Sequence, residues 1–143
     1  MRKLLIIAML LAVCACKTSQ ETTSVRTIKI TNFTEYTIVF SNIDNGGDDR
    51  FWPDACITLR PGEFYRQTNY EIQRNTSVVY VPLAMDVECN GRTVRITSEL
   101  TITHNPCILG NWYYIDSYTT HGPGIHYEFE IMREDIENWF PSE

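Results

Sequence analysis

Beyond its first 13 residues, this 143-residue chain has no second long apolar stretch, and it has few basic residues. The missing apolar stretch excludes a membrane-spanning helix there, because such a helix needs about 20 apolar residues. Its 12 Lys and Arg residues are outnumbered by 18 Asp and Glu residues, which gives a formal net charge of −6. This acidic balance argues against nucleic acid as a partner and against docking on anionic lipid headgroups through charge.

The common catalytic signatures are missing as well: the sequence has no Gly-x-Ser-x-Gly elbow, no phosphate-binding loop and no His-Glu-x-x-His pattern. It has only three histidines, whereas a zinc site needs about four ligands. His121 and His126 are a close pair, but a Gly-Pro-Gly turn separates them. His104 and Cys107 suggest a base and a nucleophile, yet Asn-Pro stands between them and no family signature flanks them. We therefore expect loop and strand histidines rather than a catalytic site.

The start of the chain has the pattern of an export signal. Arg2 and Lys3 give a basic start, residues 4–13 form an apolar run too short to span a bilayer, and a small residue, Ala15, precedes Cys16. This pattern resembles the lipoprotein signal of bacteria, which ends in a lipobox whose Cys sulfur receives a diacylglycerol. The resemblance implies that Cys16 is lipidated.

Two alternatives concern the cleavage point. Residues 13–16 (Val-Cys-Ala-Cys) fit the lipobox, with Cys14 unusual in its middle. Residues 11–14 offer a second register, in which the bulky Val13 stands where the peptidase of this family prefers Gly or Ala. An ordinary secretory signal cut directly before Cys16 is the other alternative.

The resemblance also implies a location. A mature lipoprotein of this family carries three acyl chains, and each buried methylene contributes about 0.8 kcal/mol, so the anchor is effectively permanent. In enteric bacteria an Asp after the lipidated Cys retains the protein in the inner membrane. Lys17 stands there instead, which implies the cell envelope and, within it, the outer membrane. The expected organisation is a signal peptide at residues 1–15, the lipidated Cys and a flexible tether at 16–24, and one folded domain at 25–143.

Apolar and polar residues alternate along most of this domain, which is the period of half-buried strands. The cleanest alternation is Ile125, Tyr127, Phe129 and Ile131. Asn90 and Gly91 predict a type I′ hairpin turn, and Pro61 and Gly62 predict a type II turn. Residues 133–140 have a helical period with acids in the first turn. About eight short strands with a short C-terminal helix indicate an all-β fold, an antiparallel β-sandwich or barrel.

Further expectations concern individual segments. The apolar runs at residues 28–30 and 36–40 follow one another across a short turn, which predicts a hairpin. Residues 78–81, 100–104 and 112–118 have strand patterns as well, and the last of these is dense in aromatics.

Strand order, final helix and lipobox together resemble the small, sandwich-like envelope lipoproteins of Bacteroidota, most of which have no assigned activity. This resemblance rests on pattern outside the signal and carries no functional residue onto the domain. It implies a protein that is not an enzyme.

An acidic loop groups oxygen ligands around two glycines, which suits Ca²⁺. The candidates for an irregular calcium site are Asp44, Asn45, Asp48 and Asp49. An EF-hand is excluded, because the twelfth position counted from Asp44 is Ala55 where a bidentate Glu is required. Since Asp, Asn and Gly are also the commonest turn residues, we expect a solvated turn without a cofactor.

Cys56, Cys89 and Cys107 belong to the domain, and an exported protein reaches a compartment in which disulfides form. Cys89 alternates with Val87 on an apolar strand, so it is either a small core residue or one half of a bridge. A Cys89–Cys107 bridge would join a loop to the sheet. Spacing does not decide the connectivity, so both alternatives stand.

Neighbouring residues of a strand face opposite sides, so Trp112, Tyr113, Tyr114 and Ile115 cannot all be buried in one core. Exposed aromatics suit a sugar ring or a protein partner. The candidate ligand-binding residues are Trp52, Trp112, Tyr114 and Tyr118. The alternative is a sandwich layer that the terminal helix covers through Trp139.

These observations predict a membrane-anchored envelope lipoprotein that binds a glycan or a protein and catalyses no reaction. The first alternative is a periplasm-facing inhibitor of a hydrolase, in which a protruding loop at residues 45–53 enters a cleft. A hydrolase is the second alternative.

Overall fold

The computed structural model describes residues 23–48, 50–72, 80–119 and 122–141. Within these ranges the chain forms eight strands, one 3₁₀ turn at Leu109–Asn111 and one α-helix. The strands are β1 (Thr23–Asn32), β2 (Ile38–Asp44), β3 (Cys56–Leu59), β4 (Phe64–Ile72), β5 (Ala84–Cys89), β6 (Arg92–Thr97), β7 (Tyr113–Thr119) and β8 (Gly122–Ile131), and the helix α1 is Arg133–Trp139. The all-β prediction with a short C-terminal helix is confirmed. The predicted signal peptide and Cys16 lie outside the described residues.

The strands form two four-stranded sheets around one core. Sheet A has the order β4-β1-β8-β7, and sheet B has the order β3-β2-β5-β6. Alternate residues of most strands point inward, as a period of two predicts. The strand residues that form the core are Ile28, Ile30, Phe129 and Ile131 from sheet A, and Ile38, Phe40, Ile57, Leu59, Met85, Val87 and Ile96 from sheet B. The fold is therefore a β-sandwich and not a closed barrel.

One pairing departs from the expected antiparallel arrangement. β1 and β8 run parallel, with Ile28 opposite Tyr127 and Ile30 opposite Phe129. The other strand pairs of the described ranges are antiparallel. The first and last of the eight strands thus lie side by side in the middle of sheet A.

Two residues that the sequence assigned to the tether belong to a strand. Thr23 and Ser24 are part of β1 and pair with Ile72 and Glu71 at the end of β4. Strand pairing orders these two polar residues, which composition alone assigns to the tether.

The predicted hairpin between β1 and β2 is wrong, because the two strands lie in different sheets. Asn32 is fully buried at the corner between them. Its amide nitrogen donates to the carbonyl oxygens of Tyr36 at 2.7 Å and Leu59 at 3.0 Å, and its side-chain oxygen accepts the backbone N–H of Thr34 at 2.9 Å. These bonds pair backbone N–H and C=O groups at the corner where the chain crosses from sheet A to sheet B.

Both predicted glycine turns are present. Gly62 has a φ of 79°, and the N–H of Glu63 donates to the carbonyl oxygen of Arg60 at 3.0 Å, as a type II turn requires. This turn joins β3 to β4 and is a second corner between the sheets. Asn90 and Gly91, with φ of 52° and 72°, close the β5–β6 hairpin.

The predicted strand at residues 100–104 is wrong, because this segment bends. Asn105 is buried, and its amide nitrogen donates to the carbonyl oxygens of Thr97 at 2.8 Å and Leu100 at 3.0 Å. His104 has a φ of 56°, in the left-handed region that an extended strand does not enter. Side-chain bonds to the backbone therefore hold this segment in a compact loop.

Two other predictions concern a strand and the final helix. Of the predicted strand at residues 78–81 only the last two residues are described, and these are not in a strand.

The predicted C-terminal helix is confirmed as α1. The N–H of Met132 donates to the Asp135 carboxylate at 2.7 Å, and Trp139 is buried against Phe129. No helix within the described ranges is long and apolar enough to cross a membrane.

Candidate functional site

Trp112 anchors the start of β7 in the core. Its side chain is 5% exposed, and its indole N–H donates to the carbonyl oxygen of Pro106 at 2.9 Å. Its ring lies 5.2 Å from that of Phe129 and 6.2 Å from that of Trp52, measured between centroids. The prediction that Trp112 binds a ligand is wrong, because its ring fills the core between these two side chains.

Trp52 is buried as well, at 2% exposure. Its indole N–H donates to the carbonyl oxygen of Tyr80 at 3.0 Å, and its ring stacks on Tyr65 at 5.6 Å. The neighbouring Phe51 is fully buried, and its carbonyl oxygen accepts the Tyr65 hydroxyl at 3.1 Å. The prediction for Trp52 is therefore wrong too, since the loop at residues 45–53 folds both of its aromatic rings into the body of the domain.

The three residues that open β7 are exposed on both faces of the strand. Tyr113, Tyr114 and Ile115 are 59%, 53% and 45% exposed, and we call them the β7 patch. Tyr114 lies opposite Tyr127 and so points to the core side of sheet A, whereas Tyr113 and Ile115 point to the outer side. The prediction that some aromatic surface is exposed on this strand is confirmed. Tyr118 also belongs to β7, but its side chain lies outside the described part.

The β7 patch is exposed because β7 is an edge strand. Its neighbour in sheet A is β8, and within the described ranges no strand lies on its other side. The alternative of a cover by α1 applies only to Trp112, the residue directly before β7: Trp139 of α1 packs at 6.4 Å on Phe129, which contacts Trp112.

Tyr114 is the outermost ring of an aromatic row that leads into the core. Its centroid lies 5.5 Å from Tyr127, Tyr127 lies 5.0 Å from Tyr80, and Tyr80 lies 5.4 Å from Phe51. The Tyr114 hydroxyl donates to the carboxylate of Asp116, and this hydrogen bond raises the pKa of the phenol. The ring is thus held on two sides while half of its surface remains available.

A charged cluster lies beside Tyr113 on the outer side of sheet A. Glu128 is opposite Tyr113 in the ladder, and its carboxylate lies 3.3 Å from the amine of Lys29 and 2.9 Å from Nε2 of His126. Burial opposes ionisation of Glu128, but the hydrogen bonds from His126 and Lys29 prevail and lower its pKa. Since His126 lies opposite Ile115, polar groups border both outer residues of the β7 patch.

The acidic loop after β2 is occupied by its own hydrogen bonds. The side chains of Asp44 and Asn45 each accept the backbone N–H two residues further on, at 3.0 Å. Asp48 forms a salt bridge with Arg50, and Asp49 lies outside the described residues. No group of three or more His, Cys, Asp or Glu side chains is placed to hold a metal ion in the part of the chain that is described. The described members of the candidate calcium site therefore form the turn.

The three cysteines of the described ranges are free thiols, so the Cys89–Cys107 bridge is not formed. The sulfur of Cys107 lies 3.7 Å from the carbonyl oxygen of Ile96, which is opposite Met85 on β5. Cys107 therefore lies near Met85, which is four residues, or about 13 Å, from Cys89 on β5. A disulfide needs the Cα atoms of its two cysteines within about 7 Å. Burial raises the pKa of the Cys107 thiol to about 12, so it is not an activated nucleophile.

His104 pairs with Asp135, a contact that the sequence analysis missed. Its Nδ1 lies 2.8 Å from the Asp135 carboxylate, and its ring stacks on Phe129 at 4.2 Å. Asp135 is buried and also caps α1 through Met132, so the pair joins the loop before β7 to the helix. The two residues are 31 positions apart, and no local pattern connects them. His121 lies outside the described residues.

No protein-family model, curated protein or solved structure matches the chain. The geometry of the β7 patch therefore carries the functional argument.

Proposed function

We propose that this protein is a bacterial envelope lipoprotein, anchored in the outer membrane through lipid on Cys16, whose sandwich domain binds a glycan or a protein and catalyses no reaction. The β7 patch is the binding surface. The observation that carries this proposal is the exposure of three consecutive large side chains on one sheet edge.

Physical chemistry supports a recognition role for this surface. Neighbouring exposed apolar side chains mark interaction sites on soluble domains. Tyrosine offers a flat apolar face and a hydroxyl, and its ordering costs little entropy because it has two side-chain torsions. Tyr127 and Asp116 already hold the ring of Tyr114, which lowers that cost further. The Lys29–Glu128 pair next to Tyr113 supplies a polar rim.

The anchor is tested at Cys16. Cys16→Ser removes the sulfur that receives the lipid, so we expect the protein to lose its lipid and to keep its signal uncleaved. Cys14→Ser is the matched control and should remain membrane-bound, because Ala15 and Cys16 are intact. Palmitate labelling of both variants is the measurement, and labelling that persists without Cys16 would overturn the assignment.

The binding surface is tested at Tyr114, with Phe33 as the control. Tyr114→Ala removes a half-exposed ring, so stability should change by no more than about 1 kcal/mol while binding weakens by about 2 kcal/mol or more. Phe33 is 57% exposed in the loop after β1, outside the β7 patch, and Phe33→Ala should leave binding unchanged. The measurement is retention of envelope polysaccharides and proteins by the immobilised full-length chain, with thermal melts of each variant.

Two results would contradict the proposed surface. One is retention that survives Tyr114→Ala; the other is an equal loss in the Phe33→Ala control. Tyr113→Ala repeats the test on the outer side of the sheet, where the ring does not share the Tyr127 contact. If both tyrosine variants unfold, β7 is scaffold and the surface lies elsewhere.

A further inference from the structure

The free edge of β7 bears on the kind of partner that this surface takes. β7 ends sheet A, and its ladder with β8 is continuous from Tyr113 opposite Glu128 to Thr119 opposite Gly122. Within the described ranges no strand pairs with the backbone groups on the other side of β7. Unpaired N–H and C=O groups of an edge strand are a template for another strand.

The other three sheet edges carry features that hinder such pairing. β3 has only four residues, and β6 carries Arg92 and Arg95. β4 carries Arg66, and its Tyr65 side chain binds the backbone of the neighbouring loop at Phe51. Short length, charged side chains and covering loops are the means by which natural sheets protect their edges.

β7 has fewer of these protections. Its sequence, Tyr-Tyr-Ile-Asp-Ser-Tyr-Thr, contains no Lys, Arg or Pro and one charged residue, Asp116, and its register shows no bulge. Tyr113 and Ile115 are exposed on one face and Tyr114 on the other. A glycan that lies on one face contacts one of these two sets, whereas an added strand brings alternate side chains to both faces. Consecutive exposure therefore favours a strand over a sugar.

The charge of Asp116 separates a second copy of this chain from a different protein. Asp116 is the middle residue and the one charged residue of β7. Antiparallel pairing of two complete β7 strands therefore places residue 116 opposite its own copy, and like charges directly opposite each other destabilise a ladder. The chain is acidic as a whole, which adds to this repulsion. A Lys or Arg of a different protein at that position forms an opposite-charge pair instead.

Building on the proposed function, we infer that β7 binds an extended segment of another protein by strand addition. The segment continues sheet A and packs apolar side chains on the two faces of the β7 patch. A basic residue of the segment lies opposite Asp116.

Three synthetic peptides of about nine residues test this inference. The first alternates Thr and Val around a central Lys, and the second has Glu in place of that Lys. The third is the first peptide with N-methyl groups on alternate backbone nitrogens, which removes ladder hydrogen bonds and keeps the side chains. Fluorescence anisotropy with the full-length chain measures affinity, and amide hydrogen exchange identifies the protected residues.

We expect the Lys peptide to bind and to slow exchange in β7. The Glu peptide should bind about tenfold more weakly, because an opposite-charge pair becomes a like-charge pair. The N-methylated peptide should not bind. Asp116→Asn should abolish the difference between the Lys and Glu peptides, while its side-chain oxygen still accepts the Tyr114 hydroxyl. Tyr114→Ala should weaken binding of both peptides.

The inference is overturned if none of the peptides binds, if N-methylation has no effect, or if the protected amides lie outside β7. It is also overturned if the full-length chain dimerises through β7, seen as a concentration-dependent doubling of mass that Ile115→Lys prevents. These outcomes concern strand addition alone. If no peptide binds but a polysaccharide is retained through Tyr114, the proposed function stands and strand addition is excluded.

Discussion

The two sheets end in edge strands of opposite character. β6 closes sheet B with arginines that bind the domain itself: Arg95 donates to the carbonyl oxygen of Asn42 at 2.7 Å and to the Asp86 carboxylate at 3.0 Å. Arg92 donates to two backbone carbonyl oxygens of the C-terminal segment, at 3.1 Å and 3.0 Å. β7 closes sheet A with the β7 patch, whose large side chains remain exposed.

This difference separates a structural edge from a recognition edge. Charged side chains that bind their own fold leave a strand poorly suited to pairing with another chain. Exposed aromatic side chains do the reverse, because they keep apolar area available to a partner. Both edge strands belong to sheets that pack on the same core. Substitutions near each strand therefore test the difference between the two edges.

The largest effect is expected at Trp112, where β7 enters the core. Trp112→Ala removes a buried ring and leaves the carbonyl oxygen of Pro106 without its donor, so the free energy of unfolding should fall by about 3–5 kcal/mol. Trp112→Phe keeps much of the packing on Phe129 and loses only the donor, at a cost of about 1–3 kcal/mol. Urea unfolding measures both variants. A negligible loss for Trp112→Ala would show that the buried Trp112 contributes no more to the free energy of unfolding than the exposed Tyr114.

A moderate effect is expected at Gly91, in the turn that leads into β6. Its φ of 72° strains any residue with a Cβ, so Gly91→Ala should cost about 1–2 kcal/mol. The cost comes from the backbone, because an added Cβ meets nothing within 4 Å.

Gly110, shortly before β7, provides the matched control. An added Cβ there makes an ordinary contact of 4.0 Å with Ile108, so Gly110→Ala should cause no loss. Thermal melts compare the two variants. Equal losses would show that the effect does not come from the φ of Gly91.

The smallest effect is expected at Asp86, which pairs with Arg95 of β6. Hydrogen bonds from Asn42 and Arg95 lower the pKa of Asp86 below its ordinary value of 3.8. Its charged form therefore contributes stability above that pH, and the contribution disappears as the pH falls through the lowered pKa. Asp86→Asn should cost no more than about 1 kcal/mol at neutral pH, because the pair is partly exposed.

Urea unfolding at about pH 7 and about pH 3 measures this dependence. The difference between wild type and Asp86→Asn should shrink at the lower pH. A difference that stays constant or grows would show that the charge of Asp86 does not support the β6 edge.

Local signals predicted most elements of this fold, although not the loop at residues 100–104. The Asn90-Gly91 hairpin and the Gly62 turn follow from backbone conformations that few residues adopt, and the helix at Arg133–Trp139 follows from its period. Pairing between distant segments was not predictable in this way. The corner at Asn32 and the His104–Asp135 pair depend on partners that only packing brings together.

Local sequence patterns predicted most of the strands, the two glycine turns and the rule that neighbouring aromatics on a strand cannot share one core. Which aromatics are exposed depends on the packing of the sheets: Trp52 and Trp112 are buried, whereas Tyr113 and Tyr114 are not. A period of two sets the side of the strand to which a residue points. Burial depends on whether another layer covers that side, and this follows from the order of strands in sheet A, where β7 lies at the edge.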